Sequence, residues 1–454
     1  MQLSLTSVLG LFEGLASLAF LTVLAIIDKV KNPPLPHDEA IKTEQALHDL
    51  WSLNSTSQDV SHNFLQVPRG LQLHYLSPSN EKRRRDLIIF LHGFPDSCYL
   101  WAHMLASPLS EHASLVSVDL PGYGGSDGLP NYGPGQMLNT MESAIKELRL
   151  QYGIDESSDN KRGQCIVVGH DWGGIVASRV AAGTEGLIDH LVLVNSLFPR
   201  HALDMAKAKI SRARELLRTR PSGFIRMAKE EAACVVSQLA KSHYTFMFNL
   251  PFISAARLSF VVRFLLRACH KMADAGLTHP RGPARSMAAS LGPGVAQCKD
   301  YQSNATYSAS VLARAMSQPD GIWDERIRLY KERLMTARWN PAYARDRAEA
   351  RDEGCIRCST TVIFGIEDQA LDPRLMVDGI DAYVRPESGF KGHVVKLSGV
   401  GHWSPLHSDC VQVLNEVLVW QVSTPHPSAS SSNSFSDRLQ SATKTRQIAV
   451  RIMR

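Results

Sequence analysis

The stretch VVGHDWGGIVAS, from Val167 to Ser178, decides the fold class of this chain. β-branched and apolar residues lead into a glycine-rich turn, and small and apolar residues follow it. This order predicts a buried strand, a sharp turn and the start of a helix. Asp171 stands at the centre of the turn, where a nucleophile elbow presents its reactive side chain. Since aspartate at a helix start is commonly an N-cap, the turn alone leaves open whether Asp171 is structural or reactive.

Further short apolar runs predict a mostly parallel sheet. A hairpin is expected around Arg69-Gly70, and a helix at residues 136–151. Continuous apolar runs that alternate with helical segments are typical of a parallel sheet covered on both faces. The fold class that follows is α/β. The predicted strands are Leu87–Gly93, Leu115–Gly122, Cys165–Asp171, Leu191–Ser196, Thr360–Gly365 and His393–Gly399.

The middle of the chain differs from the sheet-forming parts. It is rich in Arg, Ala and Met and predicts a large helical insertion that covers the sheet as a lid. The low-complexity run PHPSASSSNS predicts a flexible end. The expected divisions are a membrane anchor (1–30), a linker (31–60), the first part of the core (61–197), the lid (198–345), the second part of the core (346–423) and a flexible basic tail (424–454).

The N-terminal segment is apolar enough to interact with a membrane. From Leu3 to Ile27 the only charge is Glu13, and 25 residues can span a bilayer as a helix. No basic residue precedes the run, which disfavours a signal peptide, and an interfacial helix is a weaker alternative. Lys29 and Lys31 favour a cytosolic body. We therefore expect a single-pass protein, with the endoplasmic reticulum as its expected membrane.

Composition excludes some functional classes. The 454 residues are 44% hydrophobic and 20% charged, which is ordinary for a globular protein, and the formal net charge of +5 does not indicate a nucleic-acid partner. Of the eight cysteines, Cys355 and Cys358 form a single C-x-x-C. One such pair without a second is best interpreted as two thiols entering a strand. No metal or cofactor is expected.

One serine motif is misleading. Gly124 to Gly128 satisfies G-x-S-x-G with Ser126 at its centre. That motif needs a strand directly before it and a helix directly after it. Here LPNYGP follows, which cannot continue as a helix. Ser126 is therefore not expected to be a nucleophile.

Two residues further along the chain support a reactive role for Asp171. His402 and Asp368 each follow a late predicted strand, at the edge of the sheet where open α/β folds bind ligands. The order Asp171, Asp368, His402 is the nucleophile–acid–histidine order of the α/β-hydrolase fold. The backbone N–H groups of His92-Gly93-Phe94-Pro95 and of Trp172 are placed to form an oxyanion hole.

Over roughly residues 64–420, the chain resembles the epoxide hydrolase branch of the α/β-hydrolase family. The motifs that carry this resemblance are HGFPDSCYLW, DLPGYGGSD, GHDWGG, GIEDQALDP and GVGHW. The resemblance implies Asp171 as nucleophile, His402 as base and Asp368 as its partner, with Glu367 as a substitute acid. It also implies that Phe94 and Trp172 form the oxyanion hole.

The same family uses two lid tyrosines. HYTFMFNLPF resembles its first lid motif and indicates Tyr244. The second tyrosine normally stands in an N-W-Y-R-like segment. Here RWNPAYARD indicates Tyr343, although its spacing departs from that pattern by two residues.

The expected reaction is the opening of a small lipophilic epoxide by Asp171, followed by hydrolysis of the resulting ester by water. Tyrosine can supply the proton that the leaving alkoxide needs. Two alternatives stay open. A haloalkane dehalogenase shares the aspartate and the neighbouring tryptophan but needs no proton donor, and a membrane-tethered binding protein would keep the pocket without turnover.

Overall fold

The computed structural model describes residues 5–31, 37–54, 59–155, 162–219, 224–251, 259–275, 281–299, 306–317, 321–339, 353–424, 429–442 and 448–453. Within them lies one nine-stranded sheet with the order β1-β2-β4-β3-β5-β6-β7-β8-β9. Its strands are β1 Val60–Val67, β2 Leu71–Pro78, β3 Leu87–Leu91, β4 Ser114–Val118, β5 Cys165–His170, β6 His190–Val194, β7 Ser359–Gly365, β8 His393–Leu397 and β9 Ile448–Ile452.

Helices cover both faces of this sheet and fill the insertion. They are α1 Leu5–Lys31, α2 His37–Trp51, α3 Ala102–Leu105, α4 Pro134–Gln151, α5 Trp172–Gly183, α6 Pro199–Thr219, α7 Ile225–Lys241, α8 His243–Phe248, α9 Ser259–Asp274, α10 Pro283–Leu291, α11 Val295–Cys298, α12 Ala309–Met316, α13 Gly321–Arg326, α14 Arg328–Lys331, α15 Pro373–Met376, α16 Ser408–Ser423 and α17 Ala429–Ala442.

The predicted sheet and hairpin are confirmed. β1 and β2 pair antiparallel across a turn in which Arg69 and Gly70 both have positive φ. Strands β3 to β8 pair in parallel, and all the residues of β3 to β7 are buried. A strand buried on both faces needs apolar residues at every position, which explains the continuous runs in the sequence. The carboxyl ends of these strands form the edge on which the site is built.

The lid is helical, as predicted. Helices α6 to α14 all lie between β6 and β7 in the chain. The insertion therefore leaves the sheet at the end of β6, the strand next to β5, and returns at the start of β7. It follows that the lid can close over the turn after β5.

Two segments outside the core differ from expectation. In the expected linker, α2 is a packed helix that ends in the fully buried Trp51, whose indole N–H donates to the Ala288 carbonyl at 2.9 Å. The expected flexible tail contains α17 and β9, and β9 pairs antiparallel with β8. Phe435 stacks on Trp420 with ring centroids 4.3 Å apart. Burial of these aromatic rings and the otherwise unpaired edge of β8 explain why the segment is ordered.

Ser126 has a structural position, as expected. It is fully buried, its hydroxyl donates to the Asp119 carbonyl at 2.8 Å, and it accepts from the His74 backbone at 2.9 Å. The His74 ring in turn contacts the Asp119 carboxylate at 2.7 Å. The serine hydroxyl is thus used inside the protein and has no access to a substrate.

Candidate active site

Asp171 lies on a strained turn between β5 and α5. Its φ of 49° and ψ of −122° fall where residues with a side chain are rarely found. Its side chain makes no capping hydrogen bond to α5, so the N-cap interpretation is not supported. Strain of this kind concentrates at functional sites, because surrounding structure must hold it in place. Here it points the carboxylate away from the helix and towards the lid.

The glycines of GHDWGG permit this turn. A Cβ at Gly173 would lie 2.5 Å from the carbonyl oxygens of both Leu91 and His92, and one at Gly169 would lie 2.5 Å from the Gly174 backbone. Backbone atoms cannot move aside cheaply. Helix α5 therefore reaches the sheet only because these positions lack side chains.

The predicted histidine and acid meet at this turn. His402 Nδ1 lies 2.8 Å from Asp368 Oδ2, and His402 Nε2 lies 3.7 Å from Asp171 Oδ2. The side chains of His402 and Asp368 are nearly inaccessible, while that of Asp171 is 14% exposed. The histidine therefore stands between the two carboxylates, with one ring nitrogen towards each.

Asp368 is held by more than the histidine. Its Oδ1 accepts from the backbone N–H groups of Ala370 at 2.6 Å and Leu371 at 2.8 Å, and its Oδ2 accepts from the Asn195 amide at 2.7 Å. Glu367, the substitute acid, is exposed and accepts from the Gly399 backbone instead. The structure thus places Asp368 beside the histidine and Glu367 outside the site.

The pKa values follow from burial and from these charges. Burial by itself lowers the pKa of His402, but the carboxylates of Asp368, Asp171 and Asp96 outweigh it and raise the pKa to about 9. Burial raises the pKa of Asp171, while His402 and the backbone N–H groups of Phe94 and Trp172 act in the opposite direction. His402 is therefore an imidazolium at neutral pH.

Backbone donors surround one oxygen of Asp171. The Phe94 N–H donates to Asp171 Oδ1 at 3.0 Å, and the Trp172 N–H also stabilises the carboxylate. These are the two predicted oxyanion-hole residues. Oδ1 is therefore held by the Phe94 N–H, while Oδ2 is the oxygen that faces His402.

Two lid tyrosines meet above this carboxylate, and one of them was not predicted. Tyr244 on α8 and Tyr330 on α14 have ring centroids 6.0 Å apart, and the Tyr330 ring packs edge-on against Trp172 at 4.8 Å. Tyr343 lies outside the described residues. The available signal for Tyr330 is the pair Tyr330-Lys331, a tyrosine followed by a basic residue as in N-W-Y-R.

Burial raises the pKa of both phenols. The charge of Asp171 adds to the rise at Tyr244, and the charges of Tyr244 and Asp171 add to it at Tyr330. The neighbouring Tyr330 and Trp172 side chains oppose this rise only weakly, at Tyr244 and Tyr330 respectively. Both phenols therefore keep their protons at neutral pH and can donate them.

A further acid was also missed by the sequence analysis. Asp96, next to HGFP, is buried and accepts from the Trp403 indole N–H at 3.0 Å. Burial raises the pKa of Asp96 to about 6, with Asp171 adding to the rise and Arg281 opposing it. Trp403 also packs edge-on against His402, at 5.1 Å between ring centroids. The Trp in GVGHW thus connects the HGFP loop to the histidine.

A family model described as "Alpha/beta hydrolase family" matches residues 88–417. The chain belongs to this family. The sheet order and the elbow between β5 and α5 are the parts of the fold on which its active sites are built.

The chain is also similar to curated epoxide hydrolases. It is 27% identical over 210 residues to Epoxide hydrolase 3 of Xenopus tropicalis, covering 45% of this chain and 46% of that protein. It is 33% identical over 140 residues to Epoxide hydrolase 4 of Mus musculus, covering 31% and 36%. The chain thus spans less than half the length of these two relatives.

Among solved structures, the chain is similar to the Bacillus megaterium epoxide hydrolase in complex with an inhibitor. The TM-score is 0.46 and the sequence identity 21%, with 80% of this chain and 100% of that chain covered.

Proposed function

We propose that this protein hydrolyses epoxides to vicinal diols through an ester of Asp171. The observation that carries the proposal is a carboxylate at the tip of a strained elbow, with one oxygen held by backbone donors and two protonated tyrosines beside it. The similarity to curated epoxide hydrolases supports it.

In the first step, Asp171 Oδ2 attacks an epoxide carbon and the C–O bond of the ring breaks. Oδ1 stays with the N–H groups of Phe94 and Trp172 and becomes the carbonyl oxygen of the ester. The electron pair of the broken bond goes to the epoxide oxygen. Tyr244 or Tyr330 donates a proton to that oxygen as it becomes an alkoxide.

In the second step, the tyrosinate left by the first step takes back a proton from the His402 imidazolium, and the neutral ring then takes a proton from a water molecule that attacks the ester carbonyl. The bond between the carbonyl carbon and the product oxygen breaks, and that oxygen leaves as the second hydroxyl of the diol with the proton of the new carboxyl group, which restores the Asp171 carboxylate. Ester formation removes the negative charge of Asp171, one of the charges that raise the pKa of His402. The imidazolium therefore loses its proton more readily once the ester has formed, which prepares it to act as a base. Asp368 keeps the ring oriented and stabilises the imidazolium that forms again.

We infer that the substrate is lipophilic. The rings of Phe94, Phe248 and Trp172 pack against that of Tyr330, and this aromatic cluster next to the elbow favours an apolar group beside the epoxide. Association with a membrane through α1, with the catalytic body on the cytosolic side of the endoplasmic reticulum, would expose the enzyme to such compounds.

Haloalkane dehalogenation is less compatible with this geometry. A leaving halide needs N–H donors, and the Trp172 ring is instead packed edge-on against Tyr330, with ring centroids 4.8 Å apart. The tyrosines, by contrast, provide the protons that only an alkoxide requires. The same arrangement disfavours a pocket that only binds its ligand.

The test is a single turnover in H₂¹⁸O with enzyme in excess, using an aryl epoxide, a long-chain aliphatic epoxide and a bromoalkane. We expect unlabelled diol from an epoxide, because its new oxygen comes from Asp171 and the water oxygen enters the carboxylate. Diol labelled in this first turnover would exclude the ester route.

Two variants complete this test. Asp171→Asn is expected to form no diol, whereas Glu367→Gln is the matched control, since Glu367 lies beside Asp368 in the chain but outside the site. Turnover of the bromoalkane alone would establish the dehalogenase, and tight binding of an epoxide without any product would establish the binding protein.

A further inference from the structure

Helix α1 packs against the lid through one face. It lies against α8, the helix that carries Tyr244, and also against α9. The buried positions of this inner face are Gly14, Ser17, Leu21 and Ala25, which recur every three or four residues. Asp28 continues the same face and pairs with Arg267 of α9 at 2.5 Å.

The contact depends on a small residue. A Cβ at Gly14 would lie 2.8 Å from the Phe246 carbonyl oxygen and 2.7 Å from Leu250 Cδ2, so α1 and the end of α8 are in direct backbone contact there. At Gly10, one turn earlier on the same face, a Cβ would meet nothing within 4 Å. Gly14 is therefore the point at which α1 is closest to the lid.

The opposite face of α1 is exposed and mostly apolar, with Glu13 as its one charge before Lys29. Phe12 is 68% exposed and Val30 78%, and Phe20 and Val23 between them are more than half exposed. Eighteen residues of helix separate the ends of this row, which is about 27 Å long. An apolar row of this length on a protein surface indicates an interaction site.

We propose that α1 lies on the lid as part of it and contacts a phospholipid bilayer with its outer face, so that the lid itself faces the membrane. The outer row consists of Phe, Leu, Ile and Val, without the Tyr, Trp and Arg that dominate protein interfaces. Lys29 and Lys31 at the end of the helix are exposed and suit lipid phosphates.

This arrangement differs from a helix that crosses the bilayer. A crossing helix is surrounded by lipid, whereas the inner face of α1 is covered by the lid from Gly14 to Asp28. The lid cannot enter the hydrocarbon with it, because Arg263 and Lys271 on α9 are exposed. The helix therefore lies in the interface, parallel to the membrane surface.

The first experiment tests the contact between α1 and α8 by forming a disulfide in the full-length protein. Gly14→Cys combined with Leu250→Cys is expected to cross-link on mild oxidation, and Gly10→Cys combined with Leu250→Cys is the matched control that should not. Equal cross-linking of both pairs, or of neither, would overturn the docked position of α1.

The second experiment measures binding to vesicles of phosphatidylcholine and phosphatidylserine by flotation. We expect Phe12→Asp with Val23→Asp to reduce the bound fraction at least tenfold, while Phe12→Leu with Val23→Leu should leave it unchanged. The cross-linked protein should bind as well as its reduced form. Vesicle binding by the aspartate variant at the wild-type level would refute the proposal. Loss of vesicle binding on cross-linking would also refute it, and would show that α1 has to leave the lid and cross the bilayer.

A third measurement rests on the proposed function. Gly14→Leu should displace α8 and lower epoxide turnover at least tenfold, because α8 carries Tyr244, while Gly10→Leu should have no effect. Equal turnover of the two variants would contradict the coupling between α1 and the site. If wild-type protein does not hydrolyse epoxides at all, the proposed function fails, and the cross-linking and flotation results still decide the position of α1.

Discussion

Replacement of His402 by glutamine separates the two proposed steps of the reaction. Glutamine retains a polar side chain but cannot accept a proton from water. His402 is the histidine whose Nε2 faces Asp171, at 3.7 Å from Oδ2, and its other nitrogen is occupied by Asp368. Loss of a positioned general base costs about 10²–10⁴ in rate, or about 3–5 kcal/mol of activation free energy. We expect the ester to be hydrolysed more slowly by this factor.

Formation of the ester should be much less affected. The attack by Asp171 needs no base. In the wild-type protein the charge of His402 lowers the pKa of the Asp171 carboxyl, so its loss raises that pKa further. We still expect alkylation to slow far less than ester hydrolysis does, because the attack needs no base. The ester should therefore accumulate to nearly one equivalent per protein.

The assay mixes His402→Gln with a small excess of epoxide, stops the reaction with acid, and measures the mass of the peptide that contains Asp171. An increase equal to the mass of the epoxide is expected. His112→Gln, a replacement of an exposed histidine, is the matched control and should show steady diol formation without an adduct. Diol formation by His402→Gln at the wild-type rate, or the absence of any adduct, would refute the assignment of His402 as the base.

Three further predictions concern the lid, the pH dependence and the elbow. Tyr330→Phe should slow alkylation by about 10²-fold or more with little effect on ester hydrolysis, whereas Tyr343→Phe should change neither rate. Pre-steady-state kinetics would measure the two rates for each variant. Slower alkylation by Tyr343→Phe than by Tyr330→Phe would instead identify Tyr343 as the proton donor. Folding raises the pKa of His402 from 6.5 to about 9. The protonated ring therefore makes its full contribution to the free energy of unfolding below pH 6.5, and this contribution is lost as the pH rises through 9. Urea unfolding should therefore show a loss of about 3 kcal/mol between pH 6.5 and 9.5, and Asp368→Asn should largely abolish this loss. Gly173→Ala places a Cβ 2.5 Å from two backbone carbonyls and should lower the free energy of unfolding by about 1–3 kcal/mol. Gly10→Ala, in open space on α1, is the control and should cause no loss, because alanine is favoured over glycine inside a helix. A Gly173→Ala protein with the wild-type urea midpoint would show that α5 can move.

Local patterns were sufficient to predict the sheet and the order of its reactive residues. Continuous apolar runs specify buried parallel strands, because such strands leave no face for polar residues. The glycines of GHDWGG specify the elbow because only they allow α5 to approach β3 and β6 so closely. Asp171, Asp368 and His402 follow from the same logic, since Asp171 stands directly after β5 and the other two lie on the loops that follow β7 and β8.

The lid could not be derived in this way. Tyr330 and Tyr343 are both tyrosines near basic residues, and nothing local in the sequence tells which of them reaches Asp171. That choice depends on how α14 packs over Trp172 and Phe94, which are distant in the chain. The same holds for Asp96, whose raised pKa depends on burial beneath the lid and on the charge of Asp171.

The sequence by itself therefore determined the sheet, the elbow and the three residues that strands deliver to one edge, because strand periodicity and turn chemistry act over a few residues. Only the tertiary structure decided that Tyr330 lies beside Tyr244 and Trp172, that β9 pairs with β8, and that α1 has an inner face on the lid and an exposed outer face. Each of these depends on contacts between segments far apart in the chain, and an apolar helix such as α1 does not show in its own sequence which side will be covered.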